Sequence, residues 1–285
     1  MSVSVVVAVR NARTTIAACV ESLLVLDPAA IELIVVDNGS TDGTLEVLEN
    51  YTGRITVLHE QRRGAGPARN AGAAGARGQV VAFTDADCVV DPAWLGNLVG
   101  PLADPNVGAV GGTILAADPA NPIERYGEGI HDHRMAIEVF KPPYAITMNW
   151  ASRRALFQEL GGFDARFLRC QDVDLSFRII QSGRTLAFAP DAIVRHHNER
   201  TIGGLAREGF SHGFHGVQAS KRHDTFLREL GHGRVDRSGY ARLGRRAADW
   251  VRGRDRATAR LDVAFNGGKK AGKLLGSVRY GHLDL

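Results

Sequence analysis

The first hundred residues alternate short apolar runs with amphipathic ones. Val3–Val9 is apolar apart from Ser4 and mostly β-branched, the pattern of a strand buried on both faces. Residues 12–26 then place Ile16, Val20, Leu23 and Leu24 at helical spacing. The strand pattern returns at 31–36 and stops at Asp37-Asn38-Gly39-Ser40, residues that favour a turn. A helix over 43–50, a strand over 55–58, a helix over 65–76 and a strand over 80–84 are predicted next. Helical crossovers of this length between strands imply a doubly wound, mostly parallel sheet with both faces covered. Open sheets of this kind bind ligands beyond the carboxyl ends of their strands. That rule selects residues 9–11, 37–40 and 85–87 as one shared ligand surface.

Past residue 90 the pattern is mixed. Helix is predicted over 92–102, extended chain over 107–115, and weak helical periodicity with two histidines over 123–139. A strand over 145–148, helices over 153–160 and 173–182, and two short strands, 186–189 and 193–196, follow. After Thr201 the chain turns rich in Arg, Gly and His, with helical stretches over 240–251 and 258–275. Glycines at 231–233 and 267–268 read as breaks there. The expected division is a domain over 1–200, with halves 1–100 and 101–200, and a helical extension over 201–285.

Composition adds limits. With 44% hydrophobic residues in 285, the chain can bury a sizeable core. No apolar run approaches the ~20 residues of a membrane span, and no charged leader precedes the first strand, so a cytoplasmic protein is expected. Cys19, Cys88 and Cys170 have neither zinc-site nor disulfide-framework spacing. The net charge of +4 hides an asymmetry. Residues 200–285 hold 18 Lys+Arg against 8 Asp+Glu, and the rest of the chain 17 against 23. Sparse aromatic residues in the basic segment argue against nucleic-acid binding. Its basic residues, Arg245 to Lys273, are interspersed with Leu243, Trp250, Val251, Leu274 and Leu275. They suit either peripheral contact with an anionic membrane or a helical extension that covers a cleft or forms a homodimer.

Candidate chemistry gathers on the predicted ligand edge. Asp85-Ala86-Asp87 ends an apolar strand, and two carboxylates so placed suit a hard divalent cation that leaves positions for phosphate oxygens. Asp37 serves either an Asx-turn that caps the next helix or recognition of a nucleobase or ribose. The small-residue segment 64–78 carries Arg69 near a helix start, where phosphate binding and tight Ala/Gly packing are both reasonable. Asp172 and Asp174 at another helix start suit the helix dipole or a general base. His196 and His197 close the last strand as candidates for a metal or phosphate contact.

In order and spacing, these segments resemble a family 2 glycosyltransferase of the GT-A fold over about residues 2–200. The segments are VSVVVAVRNA after Ser2, VVDNGSTDGT at 35–44, GPARNAG at 66–72 and FTDADC at 83–88, followed by RRALFQELGGFDARF at 153–167 and QDVDLSFRI at 171–179. The resemblance implies an α/β, GT-A-type fold, with a Rossmann-like nucleotide-binding half, a smaller mixed acceptor-side region and the C-terminal extension. It implies transfer of a sugar from a nucleotide diphosphate donor to an acceptor hydroxyl, on a lipid-linked glycan or a soluble small molecule. Asp37 would bind the donor base, Val9 and Asn11 would line that pocket, Arg69 would lie near base or phosphates, and Asp85 would contact the ribose. Asp87 would hold Mn²⁺ or Mg²⁺ with His196 contributing, Gly162 and Asp164 would border the sugar and acceptor with Asp174 on that side, and Asp172 would be the base of an inverting displacement. The family usually carries Glu where this chain has Gln171. A sugar nucleotidyltransferase would need a glycine-rich loop after the first strand, where this chain reads VRNARTT. A non-catalytic sugar- or nucleotide-binding protein is the other alternative.

Overall fold

A computed structural model describes all 285 residues, which form two compact units: Met1–Ala117 with His131–His197, and Asp118–Ile130 with Asn198–Leu285. In chain order the elements are β1 (Val3–Val9), α1 (Ile16–Leu24), β2 (Glu32–Asp37), α2 (Thr44–Glu49), β3 (Thr56–His59), α3 (Ala65–Gly75), β4 (Val80–Asp85) and β5 (Cys88–Val90). Then come α4 (Trp94–Val99), β6 (Val107–Ala116), α5 (Pro122–Ile130), β7 (Asn149–Arg153), α6 (Arg154–Glu159), α7 (Gln171–Gln181) and β8 (Thr185–His196). The last four helices are α8 (Ile202–Arg222), α9 (Asp224–Glu229), α10 (Arg237–Val251) and α11 (Arg256–Tyr280).

The eight strands run β3-β2-β1-β4-β7-β6-β8-β5. β3, β2, β1 and β4 are mutually parallel, as are β6 and β8, while β7 and β5 run antiparallel to their neighbours. Only two residues separate β4 from β5, yet β5 pairs at the far edge, so the sheet curls. β1 shows why both faces are covered. Val5, Val7 and Val9 join one apolar layer with Ile16, Val20 and Trp94, and Val6 joins the opposite layer with Ala68, Leu175 and Ile179. The second layer is anchored by Phe83, Trp150, Phe157 and Phe163, whose ring centroids lie 5.2–6.2 Å apart.

Four expectations fail for physical reasons. Residues 145–148 are not a strand, because the Ala145 amide donates to Ser176 Oγ (3.0 Å) and the Ile146 amide to His133 Nε2 (2.6 Å). The strand is instead the polar β7, whose Asn149 and Ser152 are buried with their side chains bonded to backbone carbonyls. The two short strands are one strand, β8, with a register shift opposite Gly112 and Thr113. The segment 123–139 divides between α5, in the second unit, and a π-helical turn at Met135–Val139 in the first. α11 continues through Gly267-Gly268 for 25 residues, and the 21-residue α8 had no predicted counterpart.

His133 fixes the Ile146 segment to the sheet. Its Nδ1 faces the Gly112 carbonyl at 2.8 Å and must donate, so Nε2 accepts from Ile146 and the ring is neutral. Burial pushes its pKa down to about 4. A histidine depressed in the fold adds stability above its unfolded pKa, and that stability is lost as pH falls from about 6.5 towards 4. Nitrogen-15 NMR at pH 5 should therefore find His133 still neutral with its proton on Nδ1, whereas a charged ring at that pH would refute this geometry.

The second unit is built on glycine. Leu205, Leu261 and Phe265 form its core with Ile123, Tyr126 and Ile130 packed against it. A Cβ on Gly268, Gly272 or Gly276 of α11 would overlap the Ala206, Phe210 and Phe214 carbonyls of α8 in turn. The contacts advance together, so the two helices run parallel with their backbones in contact. Gly267, one residue away, meets nothing within 4 Å. Gly267→Ala should stabilise the unit by roughly 1 kcal/mol through helix propensity, and Gly268→Ala should destabilise it by about 1–3 kcal/mol through overpacking. Thermal melts of the two variants, shifting in opposite directions, check this. Equal shifts would sink it.

Candidate functional site

β1 lies between β2 and β4, with Val9 opposite Asp37 and Ala8 opposite Asp85. Two strand spacings of ~4.8 Å therefore separate those aspartates across the carboxyl edge. Asp37 is buried, and its carboxylate accepts from the Gly39 and Ser40 amides at 3.1 Å each, which is an Asx-turn. Asn11, in the left-handed region at φ 52°, accepts from the Thr41 amide at 2.8 Å and donates its own amide to Ser40 Oγ at 3.0 Å. The Val9 carbonyl accepts from the Asn38 amide at 2.9 Å. These bonds hold the loops after β1 and β2 as one surface.

Asn38 was missed by the sequence reading. Its Nδ2 donates to the Glu60 and Arg62 carbonyls (2.7 and 2.8 Å), and its Oδ1 accepts from the Gly64 amide (2.8 Å). It thereby joins the ends of β2 and β3 to the start of α3. The signal available was an amide side chain in the turn that was read only as turn-forming.

α3 lies hard against the sheet, since a Cβ on Gly72 would overlap Val6 and crowd Val36. The tight-packing reading of this segment therefore holds for Gly72. The approach carries Arg69 under the ligand edge, where its buried guanidinium donates from Nη2 to Asp85 Oδ1 at 2.5 Å and lies 5.8 Å from the Phe163 ring centre. Its Nε and Nη1 have no hydrogen-bond partner in the protein.

Asp87 occupies the turn between β4 and β5. Pairing of Cys88 with His196 brings β8 beside it, and the His197 amide donates to the Asp87 carbonyl at 3.1 Å. Asp87 Oδ2 and His196 Nε2 stand 3.5 Å apart, and donor atoms of Asp87, Cys88 and His196 all lie within 4.8 Å of one another. Desolvation works to raise the Asp87 pKa, but hydrogen bonding and charge from His196 outweigh it and hold the carboxyl below its ordinary range. Burial, reinforced by Asp87 and Asp85, pushes the Cys88 thiol well up. An oxygen and an imidazole nitrogen converging in this way fit a hard divalent cation.

Asp172 and Asp174 both start α7, with different surroundings. Asp172 is half-buried; burial pushes its pKa up, and the charge of Arg69 opposes that rise. Asp174 is fully buried and bound by Arg178 through Nε (3.0 Å) and Nη2 (2.7 Å). Arg178 also donates to the carbonyls of Leu160 (2.5 Å) and Gly162 (2.7 Å). The expectation of Asp174 on the sugar side is corrected: it has no exposed surface and sits behind the Gly161–Asp164 turn as an anchor. Gly162 has φ 62°, and a Cβ there would meet Asn70 Oδ1 at 2.6 Å. Asn70 exchanges two hydrogen bonds with the Phe163 backbone, at 2.7 and 2.9 Å. Asp164 pairs with Arg166 at 2.6 Å. Gln171 is buried, and its Oε1 has no partner in the protein.

Comparison with known proteins identifies the family. Residues 4–161 match the model of glycosyl transferase family 2. Glycosyltransferase AglE of Haloferax volcanii is 29% identical over 216 residues, covering 73% of this chain and 70% of its own length. The pre-mycofactocin glycosyltransferase of Mycobacterium tuberculosis is 31% identical over 221 residues, which cover 73% of this chain and 45% of that protein. Among solved structures, mannosyltransferase PcManGT from Pyrobaculum calidifontis, in complex with GDP-Man and Mn²⁺, superposes with a TM-score of 0.70 at 22% identity, covering 96% of this chain and 86% of that one. GalNAc-T7 with UDP, GalNAc and Mn²⁺ gives a TM-score of 0.55 at 18% identity, covering 81% and 56%. Curled sheet, shared edge and matched segments together make this chain a glycosyltransferase of the GT-A fold that belongs to glycosyltransferase family 2.

Proposed function

We propose that the chain transfers a sugar from a nucleotide diphosphate donor to an acceptor hydroxyl with a divalent cation at Asp87 and His196, and with Asp172 as base. The observation that carries the reading is the convergence of Asp37, Asp85, Asp87 and His196 on one curled sheet edge. Asp37 and the loop locked by Asn11 receive the donor base, beside Val9, and Asp85 receives the ribose. Arg69 has two buried donors to spare for the phosphates. Mn²⁺, present with GDP-Man in the structurally similar PcManGT, fits the Asp87–His196 pair, and Mg²⁺ is the other candidate. Bound there, the cation supplies positive charge against which a diphosphate can leave.

The acceptor hydroxyl attacks the anomeric carbon from the face opposite the departing diphosphate, and Asp172 accepts its proton, so the configuration inverts. Burial raises the Asp172 pKa, and a higher pKa makes its carboxylate a stronger proton acceptor. Gly162 and Asp164 border the sugar and acceptor in a turn held by Asn70 and Arg178.

In excess chelator, transfer should cease, and Asp87→Ala should lose activity together with metal-dependent binding of the nucleotide diphosphate, read by calorimetry with and without Mn²⁺. Full turnover in chelator overturns the metal assignment.

The two carboxylates of α7 separate catalysis from stability. Asp172→Asn should lower kcat by ~10²–10⁴ with donor affinity within a few fold and an unchanged melting temperature. Asp174→Asn should lower the melting temperature, because it leaves Arg178 buried beside a neutral amide. An active Asp172→Asn would remove it as base.

A further inference from the structure

No helix in the chain is long and apolar enough to cross a membrane. The second unit nonetheless carries an uncovered surface with a definite chemistry. The acids of the stretch from α10 into α11 are Asp249, Asp255 and Asp262. All three pair with one guanidinium, that of Arg246, at 3.6, 2.9 and 2.5 Å. Six other arginines of the stretch, at 242, 245, 252, 254, 256 and 260, are exposed and none pairs with a carboxylate. At the junction of the two helices stand Trp250, 38% exposed, and Val251, 85% exposed. α10 itself has no fully buried residue in 15.

The uncovered face continues along α11. Its glycine ridge, Gly268, Gly272 and Gly276, is spent on α8. Arg256, Arg260, Ala271, Leu274 and Val278 follow one another on a different face at helical spacing, and all are exposed, Val278 by 79%. Cationic and aliphatic side chains thus share one face of α11, and the indole of Trp250 stands at the α10–α11 junction. We infer that the α10–α11 turn and this face of α11 lie flat on an anionic lipid surface. The arginines meet the headgroups, and Trp250, Val251, Leu274 and Val278 reach the acyl boundary. Charge selects this occupant. Six uncompensated guanidiniums match a plane of negative headgroups, while a second copy would double the like charge. The inference goes beyond the proposed transfer reaction, and its readout does not depend on activity.

The full chain should cosediment with vesicles of phosphatidylcholine containing about a third phosphatidylglycerol at low salt, and be released by about 0.5 M salt, where screening is short-ranged. Phosphatidylcholine alone should not retain it. Each basic side chain at such a surface is worth about fivefold, so R252E, R254E and R256E together should weaken binding by at least about tenfold with the melting temperature kept. Trp94 and Trp150 are buried, so a blue shift of tryptophan emission on vesicle addition reports Trp250. Absence of binding at low salt, equal binding of the triple variant, or no emission shift would each overturn the inference. So would tighter binding to duplex DNA than to vesicles, or a dimer in sedimentation that hides Trp250 from quencher without lipid.

Discussion

Carboxylates gathered at one sheet edge repel one another and resist burial. The Arg69 guanidinium makes that edge tolerable. It binds Asp85 directly, and its charge opposes the rise that burial imposes on Asp172. An arginine can reach this depth only if its helix lies close to the sheet, and a glycine at position 72 against Val6 and Val36 permits that approach. Small residues in α3 and acids on β2, β4 and α7 are therefore one arrangement, although more than a hundred residues separate the outermost of them.

What could be read from sequence followed from burial. β1, β2 and β4 are nearly unbroken apolar runs because both faces of a parallel sheet are covered, and their ends fell within a residue or two of the prediction. The edge holding Asp37, Asp85 and Asp87 followed from topology alone. What failed depended on partners distant in the chain. β7 is polar in sequence because Asn149 and Ser152 bond the backbone of other strands, a compensation no local pattern reveals. The strand expected at 145–148 gave its amides to Ser176 and His133 instead. The glycines at 267–268 looked like a break because helix propensity counts only cost. The use of Gly268 appears when α8, equally unforeseen, is placed against it.

Charge was legible as a sum but not as a pattern. The basic excess after residue 200 is plain in composition, yet Arg246 alone collects three carboxylates. That collection is what leaves the neighbouring arginines uncompensated. An acidic residue near a basic one in sequence is no guide to which guanidinium it neutralises.

The aspartates of α7 show how far one turn of geometry reaches. Positions two apart on a helix point about 200° from each other, so Asp172 and Asp174 cannot share a face. Asp174 has Arg178 four residues on, the spacing of an ion pair, and Arg178 also donates to the Leu160 and Gly162 carbonyls. Asp172 has no such partner on its own helix and lies instead within the field of Arg69. The sequence already contained the distinction in the Arg at position 178. Spacing decides which of the two carboxylates is tied into the scaffold, and the other stays partly exposed.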